Sequence, residues 1–155
     1  MNIFSHHSNR SCASRGFTLI ELLVVIAIVG ILAAIVLASL SQARKYAFDA
    51  KVKEQLSSIR SAAQVYNINN GNFGSQTVDC TTGMFSDTVS GLAKLAISGN
   101  YPVGENTIVC ESNGTTYAVG DNLSASSTYW CIDSNGASKQ TSSALSTTSP
   151  TYICP

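Results

Sequence analysis

Arg15-Gly16-Phe17-Thr18-Leu19-Ile20-Glu21 runs without a break into Leu22-Leu23-Val24-Val25-Ile26-Ala27-Ile28-Val29-Gly30-Ile31-Leu32-Ala33-Ala34, and the rest of the chain is read outward from this stretch. From Leu22 to Ala43 there are 22 residues without a charge, and between Phe17 and Leu22 the sole interruption is Glu21. About 20 residues at about 1.5 Å each cross a hydrocarbon layer of about 30 Å, so this run has the length of a membrane segment. No proline precedes Pro102, so nothing obliges the helix to break, and it is predicted to continue as a soluble one. In that continuation Val52, Leu56, Ile59, Ala63 and Tyr66 recur at helical spacing, one apolar stripe with Lys51, Lys53, Glu54 and Arg60 off it. Asn69-Asn70-Gly71 supplies the stop.

The whole chain, 155 residues, has the size of one domain. It divides by composition into a leader (1–16), a membrane or assembly half-helix (17–43), an amphipathic half-helix (44–69) and a head rich in Ser, Thr, Gly and Asn (70–155). Nine basic and nine acidic residues cancel, and only 12% of residues are charged, against about 25% in an ordinary soluble protein. The head carries Lys94 and Lys139 against six acids, a balance that disfavours nucleic acid as a partner, since phosphate contacts need Lys or Arg. Both histidines, His6 and His7, lie in the leader, so the remainder holds no histidine base and no nucleophile with one, and an enzyme is not expected.

Within the head, a short helix is predicted from Thr88 to Ser98, capped by Ser86 or Asp87, with Val89, Leu92 and Ala96 inward and Gly99 ending it. Thr107–Glu111, Thr115–Val119 and Thr128–Asp133 read as strands, with Asn113-Gly114 and Asn135-Gly136 as turns. An antiparallel sheet laid on the helix stripe gives an α+β fold. Eight of the eleven residues from Thr141 to Thr151 are Ser or Thr, and this stretch is predicted to be an irregular surface loop.

Cys12 sits in the leader, and Cys80, Cys110, Cys131 and Cys154 sit in the head, with no Cys-x-x-Cys pair and no histidine near them. Two disulfides suit them better than zinc, and this puts the head in an oxidising compartment. Of the three pairings open to four cysteines, Cys80 with Cys110 and Cys131 with Cys154 close chain-local loops. The positive-inside rule points the other way, since Arg10 and Arg15 precede the membrane segment while Arg44, Lys45, Lys51 and Lys53 follow it. Asp49 and Glu54 lie among the following cations, and the cysteines decide for a cytoplasmic leader.

The opening stretch places a basic residue and a glycine at the membrane surface, a bulky apolar residue next, and a carboxylate one turn further on. An ordinary secretory signal lacks that acid and would be cut after the apolar run, near Ala38. The string resembles the processing motif of type IV prepilins and of the related pseudopilins of type II secretion. The resemblance covers residues 15 to about 45, and Tyr129-Trp130-Cys131-Ile132-Asp133-Ser134-Asn135-Gly136 is also similar to a pilin hairpin carrying a Cys-Val-Asp-Ser-x-Gly turn. It implies a type IV pilin-like fold and a single-pass precursor in the cytoplasmic membrane. A prepilin peptidase reading Arg15, Gly16 and Phe17 would cut between Gly16 and Phe17 and methylate the new amine of Phe17. Glu21 would serve assembly, pairing with the amine of its own Phe17 or of a neighbour.

The implied end point is an extracellular helical filament built from copies of this chain, with a platform protein, an assembly ATPase and no cofactor or metal. The rivals are a periplasmic pseudopilus subunit, a minor pilin for adhesion or DNA uptake, and a soluble protein released near Ala38. The head lacks the Asp-rich calcium loop of major secretion pseudopilins, and Asp133, Asn135 and Gly136 are read as a turn.

Overall fold

The computed structural model describes residues 16–101, 108–148 and 150–155. The leader up to Arg15, with Cys12, and Thr107 at the start of the first predicted strand lie outside the described residues. The chain forms two compact units, Met1–Ser39 and Leu40–Pro155. One helix, α1 (Leu19–Asn70), runs through both.

In the first unit every described side chain is exposed. In the second, Val52, Leu56, Ile59 and Ala63 are fully buried and Ala62 nearly so, with Tyr66 half-buried beside them. This is the stripe predicted from the spacing. Asn70 closes the helix, and the Gly71 amide donates back to the Asn67 carbonyl at 2.7 Å.

The stripe faces an antiparallel sheet of four strands in chain order: β1 (Val109–Ser112), β2 (Tyr117–Asn122), β3 (Tyr129–Asp133) and β4 (Ser138–Thr141). The register pairs Cys110 with Val119 and Val119 with Ile132. Strand residues alternate faces, so Cys110, Tyr117, Val119 and Ile132 join the helix core, together with Phe73, Met84, Phe85 and Leu92. Tyr117 meets Phe73 edge-on, ring centroids 4.9 Å apart. Burial pushes its hydroxyl pKa up to about 12, the neighbouring Arg60 guanidinium opposing that rise. On the other face Ala118 and Cys131 are covered by Leu145 and Cys154 of the C-terminal segment.

Polar anchors join the layers. Asp49, buried on α1, accepts the amides of Ser124 at 2.5 Å and Ala125 at 3.2 Å, which fixes the β2–β3 loop. Lys53 stands over the Trp130 ring, 4.5 Å from its centroid. Arg60 donates to the Ala137 carbonyl in the turn before β4. Cys80 is bonded to Cys110 and Cys131 to Cys154, with Cα atoms 5.0 Å and 5.7 Å apart. The first ties the segment after α1 to β1, and the second ties the C-terminal end to β3.

Several predicted elements need correction. The helix expected over 88–98 is one turn, α2 (Leu92–Leu95). Asp87 accepts both the amide and the hydroxyl of Ser90 at 2.6 Å, making a local turn. Gly91 follows at φ 86°, a left-handed conformation that no helix can pass through. Leu92 and Ala96 are buried as predicted, but Val89 is 81% exposed. Gly99 does not end the helix: it lies in a separate 3₁₀ turn, Ser98–Asn100. Another 3₁₀ turn, Gly83–Ser86, delivers Met84 and Phe85 to the core and carries no helix signal in its sequence.

The strands begin one or two residues later than predicted, and β2 extends three residues further, to Asn122. β4, Ser-Lys-Gln-Thr, was not predicted because it has no apolar alternation; it exists by pairing with β3 across the Asn135-Gly136 turn. The stretch after Thr141 is irregular, as predicted, but it is more than a surface loop because it buries Leu145.

Candidate functional site

The start of α1 is where the sequence concentrates its chemistry. Gly16 and Phe17 are exposed, and the space around the Gly16 α-carbon is open. Thr18 is the N-cap. Its amide and hydroxyl donate to one carboxylate oxygen of Glu21, Oε2, at 2.9 and 2.8 Å, and its hydroxyl oxygen accepts the Glu21 amide at 3.3 Å. The Leu22 amide makes the first helical bond, to the Thr18 carbonyl. This reciprocal arrangement is a capping box, in which the side chains at the N-cap and three residues on satisfy amides that the first turn leaves unpaired. The Phe17 nitrogen is a peptide amide here, and the Glu21 carboxylate is turned onto Thr18. Thr-x-x-Glu ahead of an apolar run is the sequence signature of this motif, and the sequence reading passed over it.

Beyond the cap, Phe17, Ile20, Val24 and Val25 surround Glu21 on an open apolar surface. From Phe17 to Leu40 the large aliphatic side chains are all exposed, and the helix is long and apolar enough to cross a membrane. Between Phe17 and Leu40 the chain therefore exposes apolar surface with a single carboxylate, Glu21, in the first turn of the helix. The head cysteines are all taken up in disulfides. Asp133 is fully engaged by backbone: Oδ1 accepts the amides of Asn135 at 3.0 Å and Ala137 at 2.9 Å, and Oδ2 accepts the Cys154 amide at 3.0 Å. These bonds build the turn before β4 and hold the C-terminal segment.

Residues 12–37 match the prokaryotic N-terminal methylation motif. Over 62 residues the chain is 45% identical to the type IV wide pilus major component PilA4 of Thermus thermophilus, a stretch covering 40% of this chain and 47% of that protein. The chain thus spans about half the length of the relative it matches. The N-terminal region is thus similar to that of a type IV pilus major component, and it opens a long helix laid on a four-stranded antiparallel sheet, an α+β, pilin-like architecture.

Proposed function

We propose that the protein is a structural subunit of a type IV pilus-like fibre. It would be held in the cytoplasmic membrane by α1, cut between Gly16 and Phe17 by a prepilin peptidase, methylated at Phe17, and polymerised through residues 17–69. A platform protein and an assembly ATPase would drive that polymerisation, with residues 70–155 as the outward head. The observation that carries this reading is the string from Gly16 to Glu21 opening a helix whose aliphatic side chains stay uncovered within their own unit. Apolar area of this extent has to be covered by lipid or by neighbouring helices, and passing from one to the other lets a subunit leave the bilayer.

Glu21 supports the assembly role. A carboxylate in lipid costs about 2.5–3.5 kcal/mol at the bilayer centre and less near the interface. Once the chain is cut, a free amine at Phe17 of a neighbour could offset that cost in place of the Thr18 donors.

The test is the intact mass and N-terminal sequence of the protein in a sheared cell-surface fraction. N-methyl-Phe17 supports the reading, while a start near Ser39 or an uncut Met1 overturns it. Glu21→Ala should leave cleavage intact and sharply reduce fibres; abundant normal fibres from that variant would count against the pairing role. Gly16→Val should accumulate full-length precursor.

A further inference from the structure

The first two turns of α1 beyond the uncharged run carry Arg44, Lys45, Tyr46, Phe48 and Lys51, all exposed. The acid among them is not. Asp49 is buried, and its two oxygens are occupied by the Ser124 and Ala125 amides. The sequence counts Asp49 against the neighbouring cations, but the fold turns it into the head and leaves a surface of three cations and two aromatic rings. Glu54, which is exposed, lies beyond Lys51. The loop that Asp49 holds also lines an open cleft of about 620 Å³ with Lys45, bordered by Ser124, Ser126, Ser127 and Thr128.

We propose that this collar seats on a lipid surface and binds the phosphates of anionic headgroups, with Lys45 and the Ser124–Thr128 loop forming the headgroup cleft. The inference rests on the membrane reading of α1 and adds a lipid preference to it. Residues 44–51 follow directly on the apolar run, and at about 1.5 Å per residue the stretch from Arg44 to Phe48 spans roughly the 5–7 Å depth of one headgroup layer. Tyrosine, with its apolar ring and polar tip, favours that layer, and Lys and Arg reach phosphates from it by extending their stems.

Charge complementarity favours lipid over a second copy of the chain. Of the five described acids of the head, Glu111, Asp121 and Asp133 are buried, and the two outside, Asp79 and Asp87, are engaged by the Thr81 and Ser90 hydroxyls, which leaves little negative surface for a neighbour's cations. Anionic lipid supplies a dense negative surface instead.

Full-length protein reconstituted in phosphatidylcholine vesicles, with a trace of spin-labelled phosphatidylglycerol or spin-labelled phosphatidylcholine, tests this. The immobilised fractions of the two labels give the preference. The phosphatidylglycerol label should be favoured about fivefold or more at low salt, and the preference should fall towards unity at about 1 M salt. Arg44→Gln/Lys45→Gln/Lys51→Gln should lose most of it, and Lys94→Gln/Lys139→Gln should keep it.

Equal immobilisation of both labels by protein that floats with the vesicles overturns the collar and leaves the membrane reading standing. Protein that floats with neither vesicle overturns both. A preference that survives the triple variant overturns the residue assignment. Loss of self-association in that variant, with no lipid preference in the parent, gives the collar to a second copy and overturns the lipid proposal.

Discussion

The Glu111 carboxylate, buried on the outer face of β1, accepts the amide proton of Tyr152 at 3.0 Å. Tyr152 stands at φ 59°, a left-handed conformation unusual for a side chain of its size. Its hydroxyl oxygen accepts a bond from Gln76 at 2.7 Å. With the Cys131–Cys154 disulfide, these bonds fasten the C-terminal segment over the sheet.

Burial raises the Glu111 pKa above its ordinary 4.5, with the Tyr152 and Thr151 amides opposing the shift. The folded state therefore holds the proton more tightly than the unfolded state. The resulting stabilisation is complete below the unfolded value and is lost as pH rises through the folded one. Glu111→Gln keeps an acceptor for Tyr152 and removes the titration. Its stability relative to the parent should rise from pH 4 towards neutrality and then level off. Glu111→Ala, which strands the part-buried Tyr152 amide, should cost about 1–3 kcal/mol. Thermal unfolding of the three proteins from pH 4 to 8 checks both outcomes, and parallel pH profiles for parent and Glu111→Gln would refute the titration.

Asp49 predicts a local effect. Removing its carboxylate leaves the Ser124 and Ala125 amides without the acceptors they have now. Asp49→Ala should destabilise the head by about 1–3 kcal/mol. Asp49→Asn, which retains one oxygen, should fall between that variant and the parent. Amide exchange should quicken first at residues 124 and 125, ahead of the central strands; uniform acceleration across the head would show that Asp49 has no special hold on the loop.

Legibility followed the strength of the local signal. The α1 stripe was readable because Val52, Leu56, Ile59 and Ala63 repeat over several turns with charges off the face. Asn113 announced its turn because its side chain does the work: Oδ1 accepts the Thr115 and Thr116 amides at 3.0 and 2.8 Å. β4 was not readable because a polar edge strand is made by its partner's backbone, and no pattern in Ser-Lys-Gln-Thr distinguishes it from a loop. The helix at 88–98 was over-read because Val89, Leu92 and Ala96 have helical spacing, and one glycine with positive φ outweighs that pattern. At the N-terminal site the residue types were legible but the partner of Glu21 was not. The methylation motif centres on Phe17, whereas the capping bond goes to Thr18.

The corrected α2 region makes opposite predictions for two valine-and-leucine neighbours. Val89 is 81% exposed and Leu92 is fully buried. Val89→Ala should change stability by no more than about 0.5 kcal/mol, whereas Leu92→Ala should cost about 2–5 kcal/mol through lost contacts and a residual cavity. Denaturant midpoints at constant slope measure the difference. Equal costs would restore the longer helix with Val89 inward.

Gly114 and Gly136 separate backbone strain from steric conflict. Both turn glycines have nearly the same φ, 91° and 92°. A β-carbon at Gly136 would meet nothing within 4 Å, whereas one at Gly114 would lie 2.9 Å from the Gly74 carbonyl oxygen. The Gly114 carbonyl also accepts the Phe73 amide at 2.8 Å, so the turn is held against the segment following α1 and cannot simply back away. Gly136→Ala should therefore cost about 1–2 kcal/mol, the ordinary penalty of a left-handed side-chain residue. Gly114→Ala should cost a further 1–3 kcal/mol or so, because the clash falls on backbone. Thermal unfolding of the two variants reads the difference directly. Equal losses would mean that the β1–β2 turn can shift away from Gly74 without breaking the Phe73 bond, and that it is a weaker anchor between helix and sheet than its geometry indicates.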